Sequence, residues 1–426
     1  MCPKASGSKL DDAFEKLSEL INRIHARVNA QNVFSPEVLR KARMILGVLP
    51  LLEEEAEEFS DAVAMIYELM AAKREHVSLS ATESLIQATV VDSVDVNKSS
   101  QERDFNRRLT AAIAALRTAL SQEPGDWTVY HEVRGLAPDG LPFKVGNVEF
   151  CLVDDYLGAA IRSSKIRDVV EPLAKGRTYG KVTVQAQDYG AANLVALKQL
   201  RLAVDVVNFF TDVFGGAYQF LFLPGDREMT HTTSFMLQES RLSHTSSTNS
   251  GPLAPTYLGY INEKRAHRSG FDRVSLLLGA KNRSALEDRL LASVQWAGRA
   301  AVEQRGEEAF LLFIIALESL LLKKDIVAEL RFRFALNGSH LLVTKLDVRK
   351  RVFDDLTKAY DKRSQIVHSG STQVAITELR RIHTYVRDAI LAVLLNPVFI
   401  EMDEDQFDNW FKERALGSAE ESATSN

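Results

Sequence analysis

The chain has 426 residues, 46% hydrophobic and 26% charged, with 11 Pro and 22 Gly, which excludes a disulfide-stapled miniprotein, a collagen-like chain or a disordered polymer. At about 150 residues per domain there is room for two or three domains, and a net charge of −5 describes a mildly acidic chain as a whole. The longest apolar run, Phe310 to Leu317, ends at Glu318, far short of the roughly 18 residues of a membrane span.

In chain order, the first pattern is helical. Leu10, Phe14, Leu17, Ile21, Ile24 and Val28 recur at steps of three and four, as do Phe59, Val63, Ile66 and Met70, and then Phe105, Leu109, Ile113, Leu116 and Leu120. The acidic run Glu53 to Glu58 falls in a helix's early turns, where it suits the helix dipole. A helical region over 1–124 follows.

Near Pro124 and Gly125 the period changes to alternation. Gly146-Asn147 between Val145 and Val148 is a two-residue turn joining two strands. Val182, Val184 and Ala186 alternate with polar residues before a helical stretch through Leu194, Leu197, Leu200, Val204 and Val207. Tyr218 to Leu223 and, more weakly, Thr230 to Leu237 read as strands, and Ser243 to Pro255 reads as a linker rich in Ser, Thr, Gly and Pro. Residues 125–256 are thus expected to form a small α+β middle domain, with its linker at 243–256.

After the linker, helices are expected at about 284–304, 307–323, 325–342, 347–368 and 375–395, a bundle over 257–400. This segment carries 23 basic and 16 acidic side chains and is the only cationic part of the chain, whereas 1–124, 125–256 and 401–426 are all acidic. A local cationic excess is the footprint of a phosphate-binding surface, and equally of a solvated helical face. Residues 401–426 read as an acidic, partly disordered tail. The fold class expected is α+β multidomain.

Common catalytic signatures are missing. There is no P-loop, no Gly-x-Ser-x-Gly elbow and no dinucleotide fingerprint, and His131-Glu132 is followed at 135 by Gly where a zinc protease needs His. His231 and His244 lack acidic or thiol neighbours and receive no role. Cys2 and Cys151 make neither a disulfide framework nor a metal spacing, and Met1 to Gly7 has no apolar targeting core, so a cytoplasmic address and no metal or cofactor are expected.

The chemistry-bearing segment is the helix from Val352. Its apolar stripe, Val352, Leu356, Ala359, Tyr360, Ile366 and Val367, includes Arg363, a permanent cation in a core-facing slot that needs a carboxylate, a phosphate or a subunit interface. His368 precedes Ser369-Gly370, a helix stop, and there the dipole favours the imidazolium.

Arg363-Ser364-Gln365-Ile366-Val367-His368 resembles the Arg-x4-His signature of the HEPN superfamily of helical ribonucleases. With Ala316-Leu317-Glu318-Ser319-Leu320, Arg333-Phe334-Ala335 and the run Tyr360 to Gly370, the segment 284–395 is similar to the Apea-like branch. The resemblance implies metal-independent cleavage of RNA, tRNA among the targets, by attack of the ribose 2'-hydroxyl to leave a 2',3'-cyclic phosphate. It also implies a homodimer and a role in bacterial anti-phage or abortive-infection defence, with residues 1–256 sensing a protein or small-molecule trigger. By motif position His368 is the general base or acid and Arg363 the phosphate clamp, with Ser364, Glu318 and Tyr360 in support. Glu318 has two candidate partners, Arg363 and Arg333. Lys350, Arg351, Lys362, Arg380 and Arg381 are candidates to track the RNA backbone. Five residues on a regular helix separate two side chains by about 140°, so Arg363 and His368 of one chain diverge unless the helix distorts or two chains share a cleft. The competing expectation is a non-catalytic dimeric scaffold that binds a nucleotide, RNA or a protein partner.

Overall fold

The computed structural model of the chain describes residues 6–30, 42–46, 48–70, 76–94, 102–163, 168, 171, 174–214, 221–223, 231–238, 241–248, 256, 258, 266, 268–323, 328–369 and 373–417. It is mostly helical with small antiparallel sheets. None of its helices is long and apolar enough to cross a membrane. Contacts divide it into two compact units, Met1–Val129 with Thr183–Leu197, and Tyr130–Val182 with Lys198–Asn426. The expected middle domain over 125–256 is therefore not a body of its own. Its central strand, Tyr179–Ala186, and its long helix, Tyr189–Val213, each contribute to both units.

The described residues of the first unit include the helices α1 (Ser6–Ala30), α2 (Glu53–Leu69), α3 (Leu79–Val94) and α4 (Glu102–Ser121), with a short hairpin of β1 (Arg43–Ile45) and β2 (Leu49–Leu51). The predicted apolar faces make its core: Leu17, Ile21 and Ile24 of α1 and Ile66 of α2 are fully buried. Burying each such side chain stabilises by about 1.5–3 kcal/mol. The acidic run does more than face the dipole. Glu55 accepts from the Leu52 amide at 2.9 Å and takes the Arg27 guanidinium bidentately at 2.7 Å, tying α2 to α1. Helix α3 and the hairpin were not foreseen. The buried face of α3 includes Thr82, Thr89 and Ser93, whose hydroxyls donate to carbonyls one turn back at 3.1, 2.8 and 2.6 Å. Hydroxyls satisfied in this way pass into a core without leaving an apolar period to read.

In the second unit the Gly146-Asn147 turn joins β4 (Phe143–Val145) to β5 (Val148–Cys151), with Phe143 opposite Phe150. These strands lie in a four-stranded sheet of order β3-β6-β5-β4, where β3 is Gly125–Glu132 and β6 is Tyr179–Ala186. Helix α5 (Asp155–Ser163) follows β5, and α6 (Tyr189–Val213) follows β6. Part of the expected linker is a strand instead. Residues 243–248 lie in β8 (Arg241–Thr248), paired with β7 (His231–Gln238) from His231↔Thr248 to Gln238↔Arg241. A ladder is held by backbone groups, which a Ser- and Thr-rich stretch supplies as well as an apolar one. Residues 249–255 lie outside the described residues.

The bundle contains α7 (Phe271–Gly279), α8 (Ala285–Val302), α9 (Gly306–Leu321), α10 (Leu330–Leu342), α11 (Leu346–Ser369) and α12 (Ile376–Leu395), so five helices stand close to the expected spans. Glycines allow close approaches in it. A Cβ at Gly298 would lie 1.9 Å from the Asp205 carbonyl oxygen, and one at Gly338 would lie 2.5 Å from Leu356 Cδ1. Part of the acidic tail is helical. After a short turn, α13 (Pro397–Ile400), residues Glu404–Ala415 form α14, capped by Asp403 and seated through Phe407 and Phe411, which are 0% and 2% exposed. Apolar residues four apart give this acidic helix one face to bury. Residues 418–426 lie outside the described residues.

Candidate active site

Helix α9 is apolar almost throughout, and Glu318 breaks its run near the C-terminal end. Helix α11 buries Val352, Leu356, Ala359 and Ile366, with Tyr360 half-buried against Phe334 of α10 at a ring-centroid distance of 5.4 Å. Two residues assigned to that stripe depart from it. Val367 is 56% exposed, and the Arg363 side chain keeps 33% of its surface in solvent. At 100° per residue Arg363 falls within about 10° of the middle of the arc between Leu356 and Ala359 and Val367 about 50° from it, so the helical period alone does not account for their exposure.

Arg363 is received by Glu318. Its guanidinium lies 3.7 Å from Glu318 Oε2 and 5.9 Å from the centre of the Tyr360 ring. The Tyr360 hydroxyl donates to Glu318, so carboxylate, phenol and guanidinium form one cluster between α9 and α11. Burial raises the Glu318 pKa above the usual carboxylate value, against the opposing pull of Arg363 and Tyr360. Burial, and then the Glu318 charge, raise that of Tyr360. At 3.7 Å the ion pair is longer than a hydrogen bond, which leaves the guanidinium's N–H groups largely unspent. Between the two candidate partners of Glu318, the geometry selects Arg363.

His368 is exposed in the last turn of α11, which is helical through Ser369 without distortion. Arg363 and His368 therefore point about 140° apart and are offset by about 7.5 Å along the axis. Ser364 is half-buried and stands one turn before His368 on the same face. Among the basic candidates, Lys350, Arg351 and Arg380 are exposed. The other two are engaged: Lys362 pairs with Glu378, which also caps the first turn of α12, and Arg381 donates to Asp355 at 2.9 Å. Asp355 further accepts from Tyr385 at 3.0 Å, and burial with that hydrogen bond pushes the phenol up to about 12.

One pair escaped the sequence reading. His383 Nε2 of α12 lies 2.6 Å from Asp212 Oδ2 of α6, with Phe313 against the imidazole at 5.0 Å. The partners are 171 residues apart, and no local pattern joins them. Among the described residues no three His, Cys, Asp or Glu side chains gather as a metal site. Comparison of the chain with known protein-family models, with curated proteins and with solved structures finds no match in any of the three.

Proposed function

We propose that the C-terminal bundle is a metal-independent endoribonuclease of the HEPN type, working as a homodimer. The observation that carries this reading is Arg363: a permanent cation, one-third exposed, oriented by a carboxylate that it does not fully engage. Its N–H groups, within reach of solvent and 3.7 Å from their carboxylate, can turn to a phosphate. In the reaction, the ribose 2'-oxygen attacks the adjacent phosphorus and loses its proton to a base. The bond to the 5'-oxygen breaks, an acid protonates that oxygen, and a 2',3'-cyclic phosphate remains. Arg363 neutralises charge gathering on the non-bridging oxygens, and Glu318 and Tyr360 hold it in place. A single imidazole cannot begin as both base and acid, and His368 diverges from Arg363 of its own chain. Two α11 helices facing each other supply two imidazoles and two guanidinium groups. In the biological setting that follows from this reading, the enzyme is a cytoplasmic effector of anti-phage defence, with tRNA among its substrates and the rest of the chain sensing a trigger.

The test is incubation of the purified chain with total RNA in EDTA. Fragments ending in cyclic phosphate are expected, and His368→Ala and Arg363→Ala should abolish them. Toxicity on expression, relieved by His368→Ala, reads the same activity when the trigger is present only in cells. Fragments that persist in both variants would overturn the assignment.

A further inference from the structure

A groove of about 750 Å³ runs between α10 and α14, within the 300–1,000 Å³ usual for small-molecule sites. Phe332, Arg333 and Asn337 line it from α10, and Asn409 and Lys412 from α14. The Nε of Arg333 is shielded from solvent and has no hydrogen-bond partner among the described residues. A buried donor without an acceptor costs about 1–3 kcal/mol; Arg289 Nε and Arg27 Nη1 share that condition, and what singles out Arg333 is its place in the lining of this groove, where an anionic oxygen can reach the guanidinium.

Two of the three carboxylates in the lining are paired: Asp405 takes Lys323, itself a lining residue, at 2.7 Å and Asp408 takes Arg289 at 3.1 Å, which leaves Glu329 against Arg333 and Lys412. The remaining groups suit a planar heterocycle. Phe332 is 53% exposed although it lines the groove; it meets Phe353 edge to face at 5.8 Å and keeps the rest of its ring surface for stacking. Asn337 donates its Nδ2 to the Leu321 carbonyl at 3.0 Å, which keeps its Oδ1 available as an acceptor. Asn409 accepts Lys412 Nζ at 3.2 Å through Oδ1, which keeps its amide donors free. A guanidinium for a phosphate, a phenyl ring for a base and one acceptor and one donor for a base edge meet in a single groove.

We infer that this groove binds a nucleoside monophosphate unit, either free or at the 5' end of an RNA. The inference stands apart from the nuclease reading, because it uses neither Arg363 nor His368.

The experiment is calorimetric titration of the full chain with AMP, GMP, CMP and UMP, with adenosine and inorganic phosphate as partial ligands. At least one nucleotide is expected to bind, and about tenfold more tightly than its nucleoside. Arg333→Gln should weaken it by at least about tenfold, and Phe332→Ala should weaken the nucleotide while leaving inorganic phosphate unchanged. A short RNA with a 5'-phosphate, set against the same RNA without it, separates the two sources of the ligand. His368→Ala should bind as the unchanged chain does, so failure here is distinct from failure of the nuclease. Where Arg333→Gln does not fold, Phe332→Ala and Asn409→Leu, both at exposed positions, carry the test. No binding of any of the four nucleotides, or binding indifferent to these substitutions, would overturn the inference.

Discussion

Two arginines of the bundle, Arg289 and Arg363, occupy corners of opposite character. Arg289 on α8 is 5% exposed and lies 3.1 Å from Asp408 and 3.4 Å from Glu404, donates to the Leu320 carbonyl at 2.7 Å, and stands over the Phe407 ring. Arg363 has one carboxylate at 3.7 Å and a third of its surface in solvent. The first cation is consumed by structure, since it fastens α14 to α8 and α9. The second is oriented and left unsaturated, as a group must be if a ligand is to complete its shell. Burial alone does not mark a functional arginine, and neither does one unanswered N–H, since Arg289 Nε also lacks a hydrogen-bond partner among the described residues; what separates the two is that Arg363 keeps its access to solvent.

The contrast is broken most directly by truncating each arginine. Arg289→Ala strands Asp408 without its cation, leaves Glu404 with Lys323 at 3.8 Å, and should cost about 3–5 kcal/mol, seen as a large fall in the thermal midpoint. A fall of only a degree or two would mean that α14 is held by its phenylalanines alone. Arg363→Ala is expected to do the opposite: the midpoint barely moves while RNA cleavage drops about 10²–10³-fold. Parallel losses of stability and activity would erase the distinction.

Arg299 is an intermediate case that sharpens it. Its partner Asp205 is 5% exposed at 2.9 Å, and burial pushes that carboxyl up to about 6 from 3.8. The folded state therefore holds a proton that the unfolded state releases, so this group's contribution to stability falls as pH rises from about 4 to 6, by roughly 3 kcal/mol in all. Asp205→Asn should flatten that slope in urea titrations taken across the interval. A slope identical in both proteins would show that Arg299 neutralises the desolvation of Asp205.

The smallest effect is expected at Glu318. Its pKa is also raised by burial, so Glu318→Gln should leave stability near pH 7 within about 0.5 kcal/mol or slightly improved. The same change should lower cleavage about tenfold, by loosening Arg363. Cleavage unaffected by Glu318→Gln would remove Glu318 from the positioning role.

Much of this architecture was legible in order along the chain. Helices α8 to α12 follow from the 3.6-residue recurrence of their apolar residues, and the β4–β5 hairpin follows from Gly146-Asn147, whose glycine stands at φ 59°. Arg363 and His368 stood out because a cation near an apolar stripe and an imidazole at a helix end are local anomalies. What escaped were features with no local signature. Helix α3 buries hydroxyls, β8 looks like a linker, and α14 hides two phenylalanines in an acidic tail.

Local propensity and periodicity determine which segments become helix or strand and which face each must bury, since both act through neighbours a turn or two away. Which faces then meet is a matter of packing between segments far apart in the chain. The choice of Glu318 for Arg363, the pairing of Arg289 with Asp408 and Glu404 of α14, the pairing of His383 with Asp212 and the unanswered Nε of Arg333 all depend on that packing. A charge has no preferred partner until two surfaces bring one within a few ångströms and take away the water that would have served instead.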